Sequence, residues 1–494
     1  MQVFLTNKLM KLPEFIKNIL EKIADSGFES YVVGGCVRDL LIAEIKREII
    51  EPKDWDITTN AKPEEILKIF PKGKYENKFG TVLVPIKDED NKTENVVEIT
   101  TYRSERGYSD RRRPDEIEFE EKLENDLARR DFTVNALAWD GKSKRVIDLF
   151  GGEKDIKKKI IRAVGEPVDR FKEDALRMMR AVRFVSQLNF TMEPKTERGI
   201  IKMAGSLKFI AKERIKDELI KILSSDNSYN GLMMLYKLKL LQYIIPELLQ
   251  GENMKQNHHH IYTVFKHSIL SLKFCPNKDW RVRFAALFHD VGKPKTRNFK
   301  DGAATFYNHE YAGERMTRKI MKRLKFSATD TEKVAILVRN HMFYYDVDAV
   351  TASSVRRLIK KVGKENLKDL IDMRIADRLG SGTPKAKPYK LRHLEYMFER
   401  VQNDPVSVKC LKIDGDYLIK KMGITPGPKM GALLDVLLSE VIEDPKLNNL
   451  KYLVARTVEL KDNNLEELAL RAKDKIEIKK NQDDKKMKKG YYVK

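Results

Sequence analysis

At 494 residues the chain is too long for a single hydrophobic core, and its length suggests roughly three to five domains. Hydrophobic residues make up 41%, which excludes global disorder, and the formal charge of +22 favours an anionic polymer partner, nucleic acid first, although the many Glu beside Lys also fit a lysine-rich proteome. The three cysteines, Cys36, Cys275 and Cys410, are far apart and in no paired spacing, which excludes a disulfide framework or zinc knuckle and points to a reducing compartment.

In chain order, the N-terminal stretch MQVFLTNKLMKLPEFIKNILEKI lacks the unbroken apolar core of a signal peptide. Its Leu12, Phe15, Ile16, Ile19, Leu20 and Ile23 recur at helical spacing, so an ordinary amphipathic helix is expected. No stretch is apolar and long enough to span a membrane, and a cytoplasmic location is expected. Residues 28–150 alternate short β-rich runs with helices: SYVVGG, DWDITT, TVLVPI and NVVEITTY read as strands, CVRDLLIAEI as a helix, and TVNALAWD as a helix-to-strand segment. From about residue 153 strand signals almost vanish. A lysine-rich stretch from about 472, AKDKIEIKKNQDDKKMKKGYYVK, is expected to be loose.

Within the head, Gly34 and Gly35 stand between a strand and a helix, where backbone N–H groups and the helix N-terminus can cradle an anion. Arg38, one turn into that helix, reaches the same place. Asp54 and Asp56, two apart on the expected strand, project from one face. Adjacent carboxylates repel, and a divalent cation between them relieves this; Mg²⁺ suits a site of carboxylates plus substrate phosphates. Glu98, on a later strand, supplies a third acid. An isolated Asp-x-Asp is usually a solvated strand face. Here a Gly-Gly turn, a helix, the Asp-x-Asp strand and a third acidic strand follow in order, and that order resembles the nucleotidyltransferase superfamily that includes DNA polymerase beta. The stretch IAEIKREIIEP before Asp54 is longer than that family's spacing and reads as a surface insertion.

The segment FKEDALRMMRAVRF, residues 171–184, reads as one helix with an apolar side and a staircase of charges. Asp174 and Arg177 lie one turn apart, while Arg180 and Arg183 follow at steps of three that drift about sixty degrees each. Standing alone it would be a surface helix laced with ion pairs. It follows RRDFTVNAL and DLFGG, however, and with GGCVRD and DWDIT these motifs resemble class II tRNA nucleotidyltransferases, the CCA-adding enzymes. The resemblance continues through IDGDYLIKKMGITPGPKMG at 413–431.

This resemblance implies a polymerase-beta-like head, catalysis with Mg²⁺ on Asp54 and Asp56 beside Glu98, and a triphosphate held by Gly34, Gly35, Arg38 and Arg130. It further implies that Asp131 and Asn135 contact ribose and phosphates, and that Asp174, Arg177, Arg180 and Arg183 belong to the nucleotide site. The chemistry suits the selecting pair. Cytosine and adenine both offer an exocyclic amine beside a ring-nitrogen acceptor, so a carboxylate and a guanidinium match them and repel guanine and uracil. The charged run 102–119 corresponds to a loop that in the family accompanies addition of the terminal A, which argues against an enzyme adding only CC.

Seven of the eight histidines fall between 258 and 341. His267, then His289 with Asp290 in LFHDVGK, then Asp377 resemble the HD phosphohydrolase signature, which implies a second divalent or transition metal, with His309 and His341 as further ligand candidates. The run His258–His260 reads as polar surface.

The expected architecture is α+β: a small nucleotidyltransferase head at 1–152, a neck with the nucleotide-selecting helix at 153–215, a helical body at 216–256, an HD-type helical domain at 257–380, a helical tRNA-binding tail at 381–471, and a flexible basic extension at 472–494. The expected activity is template-independent completion or repair of the tRNA 3′ CCA from CTP and ATP, with tRNA as partner and no membrane or obligatory protein partner. Addition of A only and bacterial poly(A) polymerase are the near alternatives, and an HD phosphohydrolase with a nucleotide-binding head is the alternative of another class.

Overall fold

The Gly-Gly turn after the first strand organises the head. The structure, a computed structural model, describes residues 12–50, 52, 54–75, 80–87, 93–106, 116–256, 261–301, 303–343, 345–347, 350–383, 385–402 and 408–493. The chain divides into two compact units, Met1–Arg339 with Gly380–Gly382, and Asn340–Leu379 with Thr383–Lys494.

In the first unit, α1 (Glu14–Asp25) buries Ile16, Ile19, Leu20 and Ile23, the expected apolar stripe. Then follow β1 (Ser30–Val33), α2 (Gly35–Lys46), β2 (Trp55–Thr59), α3 (Pro63–Ile69), β3 (Lys74–Tyr75), β4 (Thr81–Lys87), β5 (Thr93–Thr101), β6 (Arg103–Arg106), β7 (Glu116–Phe119), α4 (Leu123–Ala128), β8 (Leu137–Asp140), β9 (Arg145–Asp148) and α5 (Gly152–Lys158). Seven strands form one sheet in the order β3-β4-β5-β2-β1-β8-β9. Only the β2–β5 pairing is parallel, and it sets Asp56 beside Glu98; the antiparallel β1–β2 pairing sets Val33 beside Asp56. The end of β1 and two acidic positions are thereby fixed in adjacent rows by backbone hydrogen bonds. Asp54 precedes β2 and is exposed, so of the pair only Asp56 lies within a strand. The run 102–119 is in part the β6–β7 hairpin, with Arg103 opposite Phe119; its residues 107–115 lie outside the described residues, as do His258–His260.

The expected continuous helix over 171–184 is two helices. After α6 (Pro167–Glu173) the chain turns extended at Asp174 (φ −140°, ψ 106°) and resumes as α7 (Arg177–Leu188). The Asp174 carboxylate accepts from the backbone N–H of Leu176 at 3.0 Å, a local bond that competes with the helical ladder. Beyond the break α7 is buried along Met178, Met179, Ala181, Val182 and Val185 and packs against α9 (Lys212–Ser224), while α8 (Pro194–Met203) packs against α6. Among its described residues the remainder of the unit is helical apart from a two-residue parallel pair, Ile160–Ile161 with Thr191–Met192, and one short hairpin, Asn298–Lys300 with Ala303–Thr305.

The second unit is helical. Leu433, Leu437, Leu453 and Leu468 belong to one of its buried clusters, built on the helix Pro428–Glu443. The basic extension expected from 472 continues a 26-residue helix, Leu465–Gly490. Composition pointed to a loose tail, but Leu468, Ala472 and Ile476, spaced by four, place one face of this helix on that cluster. Lys475 reaches Glu443 at 2.7 Å, Arg400 reaches Asp484 at 3.5 Å, and Tyr396 donates to Asp484.

A Cβ at Gly152 would lie 2.2 Å from the backbone oxygen of Thr133, so only hydrogen fits where α5 meets the turn before β8. Gly152→Ala is expected to cost about 1–3 kcal/mol, read as a lower urea midpoint at unchanged slope.

Candidate active site

Gly34 closes β1 with φ +82°, and a Cβ there would lie 2.9 Å from Arg130 Nη1 and 3.4 Å from Asp56 Oδ2. The turn therefore requires glycine twice over, for its backbone angle and for the side chains crowding it. Arg38 is buried on α2, where its Nη1 donates to Asn135 Oδ1 at 2.7 Å and its Nε to Asp39 at 2.8 Å. Asn135 Nδ2 donates to Asp131 Oδ1 at 3.0 Å, which also accepts from the N–H of Phe132 at 2.9 Å. Asp131 Oδ2 takes the Arg180 guanidinium at 2.7 Å. A continuous chain, Arg38–Asn135–Asp131–Arg180, thus joins the head to α7.

Burial pushes the Asp131 carboxyl up, but the Arg180 charge, the Asn135 amide and Arg177 outweigh it and leave it at about 2. Because its oxygens already accept these bonds, Asp131 holds the surrounding donors in place, and a ribose hydroxyl would meet it at their expense. Arg130 is fixed by the buried Asp126 at 3.1 Å, and Asp126 also takes Arg129 at 2.6 Å.

The neck supplies the other wall. Both carboxylate oxygens of Asp174 accept from Arg214 on α9, at 3.2 and 2.7 Å. Arg177 is tied to Glu173 at 2.5 Å and donates to the backbone oxygen of Arg129 at 3.1 Å, while Arg170 donates to that of Ala128 at 3.0 Å. Arg183 pairs with the buried Glu218 at 3.2 Å, and burial and the Arg180 charge lower its pKa to about 10. Its guanidinium carbon lies 4.3 Å from the Phe184 ring centroid, with that of Arg38 at 5.0 Å and that of Arg180 at 5.5 Å. Three cations thus share one aromatic ring, which adds a cation–π attraction to the ion pair each already makes, Arg38 with Asp39, Arg180 with Asp131 and Arg183 with Glu218.

All these parts meet in one cavity of 890 Å³. Gly34, Gly35, Arg38, Asp54, Asp56, Glu98, Arg130, Asp131, Asn135, Asp174, Arg177, Arg180 and Arg183 line it, so every residue singled out from head and neck is present. Arg183, the most distant step of the staircase, lines it as well. Sequence reasoning missed Arg214, Arg129 and Phe184, which also line it. Nothing local marks Arg214; the available signal was that a carboxylate packed among apolar residues requires a cation.

The acids fit a divalent cation. Burial raises the Asp56 carboxyl, Arg130 opposes this, and the Asp54 charge raises it further. A cation bridging oxygen-only donors would keep such an acid ionised.

The histidine-rich region forms a second cluster in the first unit. His267 Nε2 and His289 Nε2 lie 2.9 Å apart, each 3.3 Å from Asp290 Oδ2. His289 Nδ1 faces the backbone oxygen of Ala286 at 2.8 Å, so in the neutral ring Nε2 presents its lone pair to the cluster. His309 Nε2 lies 3.3 Å from Asp290 Oδ1, and Lys293 Nζ 2.7 Å from its Oδ2. Despite burial, His289 and Lys293 hold the Asp290 carboxyl well below the usual range. Three donors within 4.8 Å of one another fit a metal, although Lys293 already engages one of the oxygens. Asp377 and His341 belong to the second unit, where Asp377 pairs with Arg374 at 2.6 Å.

Comparison with known proteins agrees with this geometry. Residues 30–162 match the family described as Poly A polymerase head domain, 189–251 the family described as Probable RNA and SrmB-binding site of polymerase A, and 259–381 the HD domain. The chain is 37% identical over 332 residues to the A-adding tRNA nucleotidyltransferase of Deinococcus radiodurans, covering 64% of this chain and 74% of that protein. It is 35% identical over 464 residues to the CCA-adding enzyme of Limosilactobacillus reuteri, covering 92% and 99%. The crystal structure of the Bacillus stearothermophilus CCA-adding enzyme in complex with CTP superposes with a TM-score of 0.58 at 26% identity, covering 92% of this chain and all of that one.

Fold and site together define a nucleotidyltransferase with a polymerase-beta-like head and a helical remainder. Within that class, the chain belongs to the tRNA nucleotidyltransferase family that contains the CCA-adding enzymes. Its head and HD domain imply dependence on a divalent metal. Among the described residues, no helix is long and apolar enough to cross a membrane.

Because the Asp131 carboxyl is depressed to about 2, the ionised form stabilises the fold. That contribution is complete above the unfolded value of about 3.9 and is lost as pH falls towards 2. Wild type is expected to exceed Asp131→Asn by about 2 kcal/mol at pH 6–7, with the gap narrowing below about pH 4 in urea titrations across pH.

Proposed function

We propose that this protein adds or repairs the 3′-terminal CCA of tRNA from CTP and ATP, releasing pyrophosphate. The observation that carries the reading is the single cavity lined both by Asp54, Asp56 and Glu98 and by Asp174 and Arg177. The joining chemistry and the base-selecting groups therefore share one chamber.

Asp54 and Asp56, with Glu98 beside them, would hold Mg²⁺, which on binding lowers the pKa of the primer hydroxyl and stabilises charge on the α-phosphate and pyrophosphate. Gly35, first residue of α2, presents its backbone N–H to the triphosphate, while Gly34, whose own N–H donates to the backbone oxygen of Leu137 at 3.2 Å, shapes the turn, and Arg38 and Arg130 add charge from fixed positions. Arg180 and Arg183, anchored on Asp131 and Glu218, raise the positive potential of the same wall. Asp174 accepts from the exocyclic amine of cytosine or adenine, and Arg177 donates to the ring nitrogen, with each good bidentate contact worth about 1–3 kcal/mol of discrimination. The Arg214 fork sets the carboxylate's plane before the base arrives. The helical remainder grips tRNA by shape and phosphate charge.

The HD cluster supports a second reading, a metal-dependent phosphohydrolase activity at His267, His289 and Asp290. The three cysteines, Cys36, Cys275 and Cys410, form no disulfide among the described residues, which fits a reducing cytoplasm as the compartment.

Incubation with tRNAs lacking A, CA or CCA, each with one labelled nucleotide, is expected to give product with CTP and ATP and none with GTP or UTP. Incorporation of A alone would assign the A-adding activity, and a long ladder a poly(A) polymerase. Asp54→Ala with Asp56→Ala is expected to abolish incorporation while His289→Ala leaves it intact; the reverse would assign the main activity to the HD cluster.

Arg214→Lys keeps the charge and loses the fork. It is expected to lower kcat/KM for CTP and ATP together by about tenfold, the scale of one lost charge-assisted hydrogen bond, in steady-state assays.

A further inference from the structure

The second unit contains two cavities that share no residue with the polymerising chamber. Phe343, Tyr345 and Leu394 line both. One, of 230 Å³, is completed by Arg374, Arg378 and Lys390 among others; the other, of 270 Å³, by Arg357 and Lys361 on the helix Ala352–Val362. Five cations therefore surround two aromatic rings, and among the described residues no carboxylate lines either cavity.

Two of these cations have acidic neighbours, Arg374 with Asp377 at 2.6 Å and Lys390 with Asp346 at 3.4 Å. The side chains of Arg357, Lys361 and Arg378 have no ion-pair partner among the described residues, and Arg378 Nε is buried without a hydrogen-bond partner. A half-buried guanidinium with an unmet donor is costly unless an anion completes it. The rings are held in position. Tyr345 Oη is 2.5 Å from His393 Nδ1, and the Arg374 guanidinium carbon lies 5.7 Å from the Phe343 centroid.

Size narrows the occupant. Both cavities fall below the roughly 300–1,000 Å³ that enclose a drug-sized ligand, so a flat ring fits with its charged attachments outside. Aromatic faces flanked by unpaired cations are the combination that binds single-stranded nucleic acid, each base stacking while phosphates meet the cations. RNA places unpaired bases in loops and ends where they can be splayed out in this way.

We propose that Phe343 and Tyr345, with Arg357, Lys361 and Arg378, form a second nucleotide site that stacks one unpaired base of the bound tRNA and neutralises its flanking phosphates. This rests on tRNA being the substrate. Its role is anchorage: it contributes to holding the RNA and takes no part in choosing the incoming nucleotide.

The test uses the full-length protein with full-length tRNA. Phe343→Ala is expected to raise the tRNA Kd, measured by filter retention without nucleotide, and the tRNA KM by about tenfold, the scale of one lost stack. Its KM for CTP and its melting temperature stay at wild type, and Phe343→Trp restores binding. Arg357→Ala with Lys361→Ala is expected to flatten the dependence of log Kd on log salt by about 1.4, two single-strand phosphate contacts, whereas Phe343→Ala leaves that slope unchanged. Wild-type tRNA binding and salt slope in these folded variants would overturn the proposal. Failure of Phe343→Trp to restore binding would do the same, as would displacement of wild-type-bound tRNA by an acidic peptide and not by a short unstructured RNA. Absence of CTP or ATP incorporation by the wild type would instead overturn the substrate reading, while retention of tRNA on the filter would still be measurable.

Discussion

The contact between Asp131 and Arg180 holds the two halves of the active site in register. Asp131 belongs to the head, four residues before Asn135, and Arg180 to the helix that follows the break at Asp174. Their 2.7 Å pair is the last link in a hydrogen-bonded chain that begins at Arg38. A buried ion pair gives little net stability, because desolvation consumes most of the Coulomb gain, yet removing one partner strands the other. What such a pair supplies here is placement. Asp56 on β2 and Glu98 on β5 sit on a rigid sheet, whereas Asp174 sits at a helix break, and in the proposed reaction the selected base and the reacting phosphate stay in line only if the two are fixed relative to each other.

The same logic accounts for the crowding of positive charge. Arg38, Arg180 and Arg183 all lie close to Phe184, and Arg180 and Arg183 each have one buried carboxylate. Without those carboxylates and the ring, mutual repulsion would splay the side chains apart. With them, several cations can be kept extended and oriented while the cavity is empty of anions. In the proposed function the arrangement is preorganised for a triphosphate, whose arrival would relieve repulsion that the fold has already absorbed.

How much of this was legible in the sequence depends on the range of the interactions. The strands carrying Asp56 and Glu98, the Gly-Gly turn and the helix bearing Arg38 follow from local periodicity and turn chemistry, and the structure assembles them as expected. The break at Asp174 was not legible, because residues 167–188 keep a helix-compatible pattern throughout. It arises from an Asp side chain competing for a backbone N–H and from Arg214, forty residues further on. The lysine-rich terminus was misread for the converse reason: average composition hid Leu468, Ala472 and Ile476, three apolar residues that suffice to seat a helix when a partner surface exists. The HD motif was recognisable by its residue types, but the Lys293 contact on Asp290 could be found only in three dimensions.

The break at Asp174 has one more consequence. A polymerase that copies a strand takes its instructions from a separate molecule, so an error spoils one product at a time. In the proposed function a carboxylate and a guanidinium stand in for that strand, and the instruction is then written in the gene for the enzyme. A change in that codon would be stamped onto the end of every transcript the enzyme finishes, which leaves such a position almost no room to drift.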